Sequence, residues 1–514
     1  MSPAARALLV VSLALVVLTA PVSPRAAEAA GVPVAKKPLW EKKPLPKGLS
    51  FGGRIFTTMA PDLVMKGPYE DRFEWHSGID FRVKYRFARN ARFHIEAKAR
   101  YDMRFGDRTE ADFLVDLGDT WLQFRAGKLR VRAGRLTMKW GQNGLASVLD
   151  RLNPSDYTRA LGGAGLDDPK IPVLAVDATV NLSPLALEFV YIPFFQPQRA
   201  ALYGRDFAAL RPGLLEEMIP KLAPTTGSGA MNQQLDGITE RLVDELIAFD
   251  PYARDGIQSY LVADLPEELP WHGDLGARVG FTGRGFDLDG YVLWHIVDRP
   301  MVHMHDAIRV PLLQNRMPNQ NELTRLTNPD AELVRTEYKR SIMGGMDVAI
   351  AVGDLVISAE AAAFEKTIHY RRTLEPYLSP MVRYAVELRY SIGSTFTLTA
   401  AAEHDIIIRP AVDTLMESQH HVAVTVLGVL TLLRDRMQIL ASVAWSPDWG
   451  DLYIHPRVTI EVADGLKAIF GIQLFESYRP DANNTLAGFL AYQGGPMGYF
   501  RANDYAYGMV QLSF

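Results

Sequence analysis

The chain has 514 residues, a formal net charge of −4 and no cysteine, with a mean hydropathy of −0.03. The absence of Cys excludes disulfides, thiolate metal sites and Cys nucleophiles, and the near-neutral balance gives no electrostatic footprint for nucleic acid. Outside the first thirty residues no apolar run reaches the roughly 18 residues of a membrane-spanning helix, and a content of 8 Trp, 20 Tyr and 23 Phe is too rich in large side chains for disorder.

The first 29 residues read as a secretory signal. Arg6 gives a short basic start, Ala7–Ala20 is an apolar run broken by Ser12 and Thr19, and Ala27-Glu28-Ala29 fits small-x-small cleavage. The run is short for an uncleaved anchor helix. Residues 30–47, rich in Pro and Lys, read as a flexible lead-in.

From residue 48 onward the dominant signal is a period of two. Phe73, Trp75, Ile79, Phe81, Val83, Tyr85 and Phe87 share one parity, while Asp80, Arg82, Lys84 and Arg86 share the other. After Ala88-Arg89-Asn90 the pattern resumes, with Phe93, Ile95, Ala97, Ala99 and Tyr101 against Arg92, His94, Glu96, Lys98, Arg100, Asp102 and Arg104. Successive strand side chains point to opposite faces, so this is a hairpin with one apolar and one charged face. Strands of about 15 residues exceed the usual 5–6 of globular sheets, and their aromatics gather near the ends, as in the girdles of a membrane barrel.

The same unit predicts strands at 48–60, 73–87, 91–105, 113–126, 128–140, 173–182, 185–194, 273–283, 285–297, 338–351, 354–367, 380–391, 394–408, 419–432, 437–446, 452–462, 465–476 and 504–514. Short turns and longer connections alternate between them, as they do in outer-membrane barrels. The fold class is therefore all-β, a transmembrane antiparallel β-barrel of 18 strands occupying 48–514. The alternation is least regular in 48–60, 173–182 and 437–446, which leaves 16 as the alternative count. The 195–272 connection is expected to be an outside loop and partly helical. Leu235, Ile238, Leu242 and Leu246 within Met231–Phe249 follow helical spacing, and Phe207–Leu222 is a second helical candidate.

The charged face of the first hairpin supplies the candidate lumen lining: Asp80, Arg82, Lys84, Arg86, Arg92, Glu96, Lys98, Arg100 and Arg104. A three-residue turn would set Arg82 opposite Glu96 and Asp80 opposite Lys98. A five-residue turn would set Lys84 opposite Glu96 and Asp80 opposite Arg100. Either register pairs opposite charges and leaves surplus cations, so the face reads as a salt-bridged wall or as a stripe that attracts anions. The chain ends with Val510, Leu512 and Phe514 on one parity, which resembles the C-terminal assembly signal of bacterial outer-membrane barrels.

Trp140-Gly141 is followed by Asp150, then Asn153-Pro154-Ser155-Asp156. Asn-Pro-x-Asp is turn chemistry, and an aromatic at the end of the 128–140 strand suits a girdle, so Trp140, Asp150, Asn153, Pro154 and Asp156 are expected in an ordered loop at the barrel mouth. This Trp-Gly…Asp…Asn-Pro-x-Asp pattern resembles the signature of a large, poorly characterised family of proteobacterial outer-membrane barrels built on a domain of unknown function. The chain carries Gln142-Asn143 where that family has an acidic residue. The resemblance implies a barrel, and some relatives stand near lipid or polysaccharide export systems.

Signals for catalysis are poor. No Gly-x-Ser-x-Gly elbow is present, and His303/His305, His404-Asp405 and His420-His421 lack an evident third metal ligand. Asp167-Asp168 and the Asp481/Asn483/Asn484 group read as solvated turns rather than Ca²⁺ sites. No enzyme activity, cofactor or resident metal is expected. The leading function is a channel or exporter for polar or anionic solutes or saccharide chains. The alternatives are a non-conducting structural or assembly barrel and an accessory barrel of lipid or polysaccharide export. The implied partners are outer-membrane lipid, the barrel assembly machinery and, for an exporter, a periplasmic export component.

Overall fold

The computed structural model describes residues 48–63, 73–105, 109–156, 170–199, 273–328, 331–480 and 486–514. The predicted signal segment, the lead-in and the helical candidates at Phe207–Leu222 and Met231–Phe249 lie outside the described residues, as do Asp167, Asp168, Asp481, Asn483 and Asn484.

Eighteen antiparallel strands form one closed sheet. In chain order these are β1 (Leu49–Pro61), β2 (Phe73–Ala88), β3 (Ala91–Phe105), β4 (Thr109–Ala126), β5 (Leu129–Leu136), β6 (Val173–Asn181), β7 (Leu185–Ile192), β8 (Asp274–Thr282) and β9 (Phe286–Ile296), then β12 (Arg340–Val352), β13 (Leu355–Tyr370), β14 (Pro376–Ile392), β15 (Phe396–Ile407), β16 (His420–Leu432), β17 (Met437–Ser446), β18 (Asp451–Ala463), β19 (Leu466–Ser477) and β20 (Tyr505–Ser513). The remaining two, β10 (Met301–Met304) and β11 (Val334–Glu337), form a separate ribbon. Neighbours in sequence pair throughout, β9 pairs β12, and β20 pairs β1 from Arg54↔Ser513 to Met59↔Gly508, which closes the ring. Closure leaves no unpaired edge in the barrel.

All eighteen predicted strands are present. The fifth is shortened most: it stops at Leu136 instead of residue 140. Several ladders run further than the apolar pattern alone indicates, so the connections expected at 106–112, 368–379 and 447–451 shrink to 106–108, 371–375 and 447–450.

Residues opposed across a ladder share a face, and the two faces differ sharply. Phe81, Val115, Phe189, Val292, Met346 and Phe470 are 39%, 60%, 58%, 49%, 55% and 55% exposed, on strands distributed around the ring. An exposed apolar belt on every side is stable only against hydrocarbon. The other face carries Asp80, Asp177, Asp289, Asp347, Glu360 and Glu387, all buried, and is therefore the lumen side.

On the long-loop side the described connections build a small layered body. After β10 come α1 (Asp306–Leu313) and α2 (Gln320–Leu326). His305 caps α1 by accepting the Ala307 amide at 3.1 Å, and Asn319 and Glu322 form a capping box at α2. The connection before β20 carries α3 (Leu486–Ala491) and α4 (Pro496–Tyr499). Leu312 of α1 packs with Leu486, Phe489 and Leu490 of α3. The α1 connection leaves between β9 and β12, and the α3 connection between β19 and β20. Eight strands, β12 to β19, separate them on the ring, so their contact bridges the outer mouth.

Candidate channel lining and inner segment

Residues 137–154 turn into the lumen. The departure begins at Gly134, whose φ is +135°, and a Cβ there would lie 2.3 Å from the Thr120 carbonyl oxygen, so only glycine fits. Asn153, 2% exposed, then takes over the role of a ladder partner. Its Oδ1 accepts the Met138 amide at 2.7 Å, and its Nδ2 donates to the Leu136 and Ile171 carbonyls at 2.8 Å each. These bonds draw the chain off the sheet and explain why the fifth strand is short.

From there the segment crosses to the far wall. Trp140 is 1% exposed and sits over Gly276 of β8, where a Cβ would approach its ring to 2.7 Å, with the Tyr291 ring centroid at 5.1 Å. It is not a girdle residue, because the strand that would have carried it to the girdle ends four residues earlier. Glu360 of β13 accepts the Asn143 amide at 2.7 Å, the Ser147 hydroxyl at 2.8 Å and the Val148 amide at 2.9 Å. Glu387 of β14 accepts the Gly144 and Leu145 amides, both at 2.7 Å, and the Arg389 guanidinium at 2.7 Å. Leu149 fits against Gly345 of β12, where a Cβ would lie 2.3 Å from its Cδ2. One apolar cluster thus joins Trp140, Val148 and Leu149 to residues of β5–β7, β9 and β12–β15.

The remaining residues of the Trp-Gly…Asn-Pro-x-Asp pattern secure the exit. The Asp150 carboxylate stands 3.7 Å from Lys170 Nζ, which also donates to the Asp150 carbonyl at 2.9 Å. The Pro154 carbonyl accepts the Ile171 amide at 2.8 Å, and Asp156 lies 3.6 Å from Arg199. The segment these residues hold lies inside the barrel rather than at its mouth. Gln142 and Asn143 are neutral for local reasons: Gln142 donates to Asp289 at 3.4 Å, where a carboxylate would face another carboxylate, and the Asn143 side chain donates to the Ala146 carbonyl at 3.0 Å while accepting the Ser358 hydroxyl at 2.6 Å, a donor that Asp would lack.

The segment lies mainly against β6–β15 and touches the charged wall of β1–β5 at β4, where the Thr137 amide donates to Asp119 at 2.7 Å and Trp121 packs on the apolar cluster. The β2–β3 register places Arg82 opposite Glu96 and Asp80 opposite Lys98, the pairing expected of a three-residue turn, reached here by a two-residue turn at 89–90 with an irregularity between Tyr85 and Ala88. Asp80 is 2% exposed, bonded to Arg54 at 2.5 Å and paired with Arg100 at 2.6 Å. Arg100 is therefore locked in the wall, with its guanidinium 5.0 Å from the Phe56 ring centroid. Glu96 is shared by Arg82 at 3.8 Å and Lys98 at 3.7 Å. Arg92 donates to Gln123 at 2.7 Å. Lys84 and Arg86 are exposed with no carboxylate partner among the described residues. Arg104 opposes Glu74 across the same ladder, and its side chain lies outside the described residues.

Three lumen arginines extend the wall beyond the predicted hairpin. Arg125 of β4 and Arg130 and Arg132 of β5 stand close enough to Arg92, together with Arg86, for their charges to repel it. Arg132 is neutralised by Asp177 at 2.7 Å, and Arg130 donates to Thr179 at 2.8 Å. The same alternation in Arg130-Val131-Arg132 was available to find them. The surplus positive charge thus gathers on Lys84, Arg86, Arg92 and Arg125, at the short-turn ends of β2–β4.

Elsewhere, no group of three metal-ligating side chains occurs among the described residues, and His305 is committed to its helix cap. Val510, Leu512 and Phe514 are 52%, 44% and 57% exposed and share the outward face. The Phe514 amide donates to the Gly53 carbonyl at 3.1 Å and the Gly53 amide to the Phe514 carbonyl at 2.9 Å.

No protein-family model and no curated protein matches the chain. Among solved structures it is similar in fold to Pseudomonas aeruginosa OccK5 (OpdH), at 7% identity and a TM-score of 0.44, covering 91% of this chain and 97% of that one. Acinetobacter baumannii OccAB4 gives the same four values. Salmonella typhi OmpF in complex with daunomycin gives 9% identity and a TM-score of 0.38, covering 91% and 97%.

Proposed function

We propose that the protein is an outer-membrane channel for anionic polar solutes, narrowed by residues 137–154. The observation that carries this reading is the asymmetry of the lumen. The inner segment is pinned to one wall by Glu360 and Glu387, while the facing wall presents Lys84, Arg86, Arg92 and Arg125. At 0.15 M salt the Debye length is about 8 Å, so unpaired cations bias ions crossing near them. The signal at residues 1–29, insertion by the barrel assembly machinery and membership of the Trp-Gly…Asn-Pro-x-Asp family belong to the same reading, and the closed barrel with its apolar belt supports them.

The test is a reversal potential across a planar bilayer with purified full-length protein in a KCl gradient. Anion preference is expected, and changing Lys84, Arg86, Arg92 and Arg125 together to Gln should abolish most of it. Cation preference in the unmodified protein refutes the reading. A non-conducting structural barrel is the second reading, favoured by the contact of Leu312 with Leu486 across the mouth; a complete lack of conductance supports it.

A further inference from the structure

The lumen has a second wall with a different chemistry. On β16 and β17 the outward residues are Val424, Val426, Val443 and Trp445, opposed as Val424↔Trp445 and Val426↔Val443. The inward residues are therefore Thr425, Leu427 and Val429, opposed to Ala444, Ser442 and Leu440. On β15 the inward neighbours are Thr397 opposite Val429 and Thr399 opposite Leu427. None of these eight side chains is charged: Thr397, Thr399, Thr425 and Ser442 carry hydroxyls, and Leu427, Val429 and Leu440 form an apolar patch among them, although a lumen wall ordinarily is polar. Leu427, Val429 and Leu440 are only half-buried, and none belongs to an apolar cluster of the described residues.

This apolar patch lies at the short-turn ends of its strands, beside the 433–436 turn. The cations Lys84, Arg86, Arg92 and Arg125, which have no carboxylate partner among the described residues, also lie at the short-turn ends, beside the 89–90 and 127–128 turns. The two features thus share one end of the lumen, on different walls. Between β2 and β17 run five ladders: β2–β1, β1–β20, β20–β19, β19–β18 and β18–β17. At about 4.8 Å per ladder this is an arc of about 24 Å, shortened across the lumen by the inward reach of the side chains. Next to the patch, Arg457 of β18 opposes Leu440, so charge resumes immediately beyond it.

We propose that this end of the lumen is a two-part selectivity site for amphiphilic anions, in which Leu427, Val429 and Leu440 take the apolar portion of the cargo while the β2–β4 cations take its charge. The proposal rests on the anion-channel reading and narrows its substrate class. A small inorganic anion meets only the cationic wall. An anion with an alkyl or aryl portion also removes apolar surface from water at the patch, which favours its entry. The neutral, half-exposed Leu and Val side chains are then specificity-determining residues rather than filler.

The experiment measures bi-ionic reversal potentials with 1-hexanesulfonate against methanesulfonate. Both probes stay charged at neutral pH, and chloride serves as the reference. After correction for aqueous mobility, hexanesulfonate should be favoured in the unmodified protein. In Leu427→Gln/Val429→Thr/Leu440→Gln that preference should fall by about threefold with chloride selectivity unchanged. Ser442→Leu, which enlarges the patch, should raise it and gives a readout should the triple variant fail to assemble. Equal permeation of the two sulfonates, or a preference untouched by both variants, overturns this inference while leaving anion preference standing. Loss of chloride preference in the unmodified protein, or no conductance at all, overturns the anion-channel reading and this inference with it.

Discussion

Glu387 accepts the backbone amide of Leu145 at 2.7 Å across 242 residues of sequence, so one lumen carboxylate fixes the turn of a segment that leaves the sheet seven strands earlier on the ring. Together with Glu360 it meets five backbone amides and one hydroxyl. Glu360→Leu should release the segment, because removing one partner leaves buried amides unpaired at about 1–3 kcal/mol each. Larger or noisier single-channel conductance is expected, with a lower unfolding temperature in heat-modifiability gels. Unchanged conductance in a folded variant would show that the segment does not limit the passage.

Facing gives a second prediction. Val83 opposes Phe51 and Ile95, and Lys84 opposes His94, which places Val83 outward and Lys84 in the lumen. Arg at mid-bilayer on the lipid side costs about 2–4 kcal/mol. Val83→Arg should reduce the folded yield in outer-membrane fractions, and Lys84→Val much less. Equal yields would sink the assignment of faces.

Phe514 closes the ring by its paired bonds to Gly53, and Gly53 has no room for a side chain, since a Cβ there would lie 2.3 Å from the Asp80 carbonyl oxygen. Deleting Phe514 removes the last ladder contact along with the exposed aromatic. Membrane insertion should fall, read as loss of the fast-migrating species on unheated gels, while passage across the inner membrane continues.

The cap of α1 sets a pH dependence outside the membrane. Burial, followed by the charge of Arg325, lowers the pKa of His305 from its ordinary 6.5. The folded state therefore favours the neutral ring, which accepts the Ala307 amide. The unfolded segment binds the proton first, so the stabilisation is complete above pH 6.5 and is lost as pH falls from there through the lowered folded value. Amide exchange in Asp306–Leu313 should accelerate on acidification, whereas His305→Asn, whose side chain caps without titrating, should remove that acceleration.

The barrel was legible because period-two alternation survives in nearly every strand, and because Asp80, Arg82, Glu96 and Lys98 on their shared parity allow few registers. The inner segment was not. Asn153 reads as turn chemistry, and nothing local says that its amide will bond the carbonyl of Leu136. Trp140 has the look of a girdle aromatic because its real partners, Gly276 and Tyr291, lie well over a hundred residues downstream. Glu360 and Glu387 look like any lumen carboxylate until their targets, the amides of 143–148, are placed. The apolar patch on β16–β17 escaped notice because Val424–Leu432 is apolar on both parities, so the pattern does not announce which residues face inward.

The reach of residues 137–154 also dictates an order of assembly. The segment emerges from the chain long before β13 and β14, yet its amide partners are on those strands, 217 and 243 residues later. Its anchoring carboxylates are missing until two-thirds of the wall exists, although the seat of Trp140 on Gly276 and Tyr291 forms earlier, with β8 and β9. Such non-local contacts form late, because the closure entropy of the intervening chain must be met first. The nascent barrel therefore carries Val148 and Leu149 undocked until β12 and β13 are in place. Docking of the segment would then mark the moment at which the wall is nearly complete.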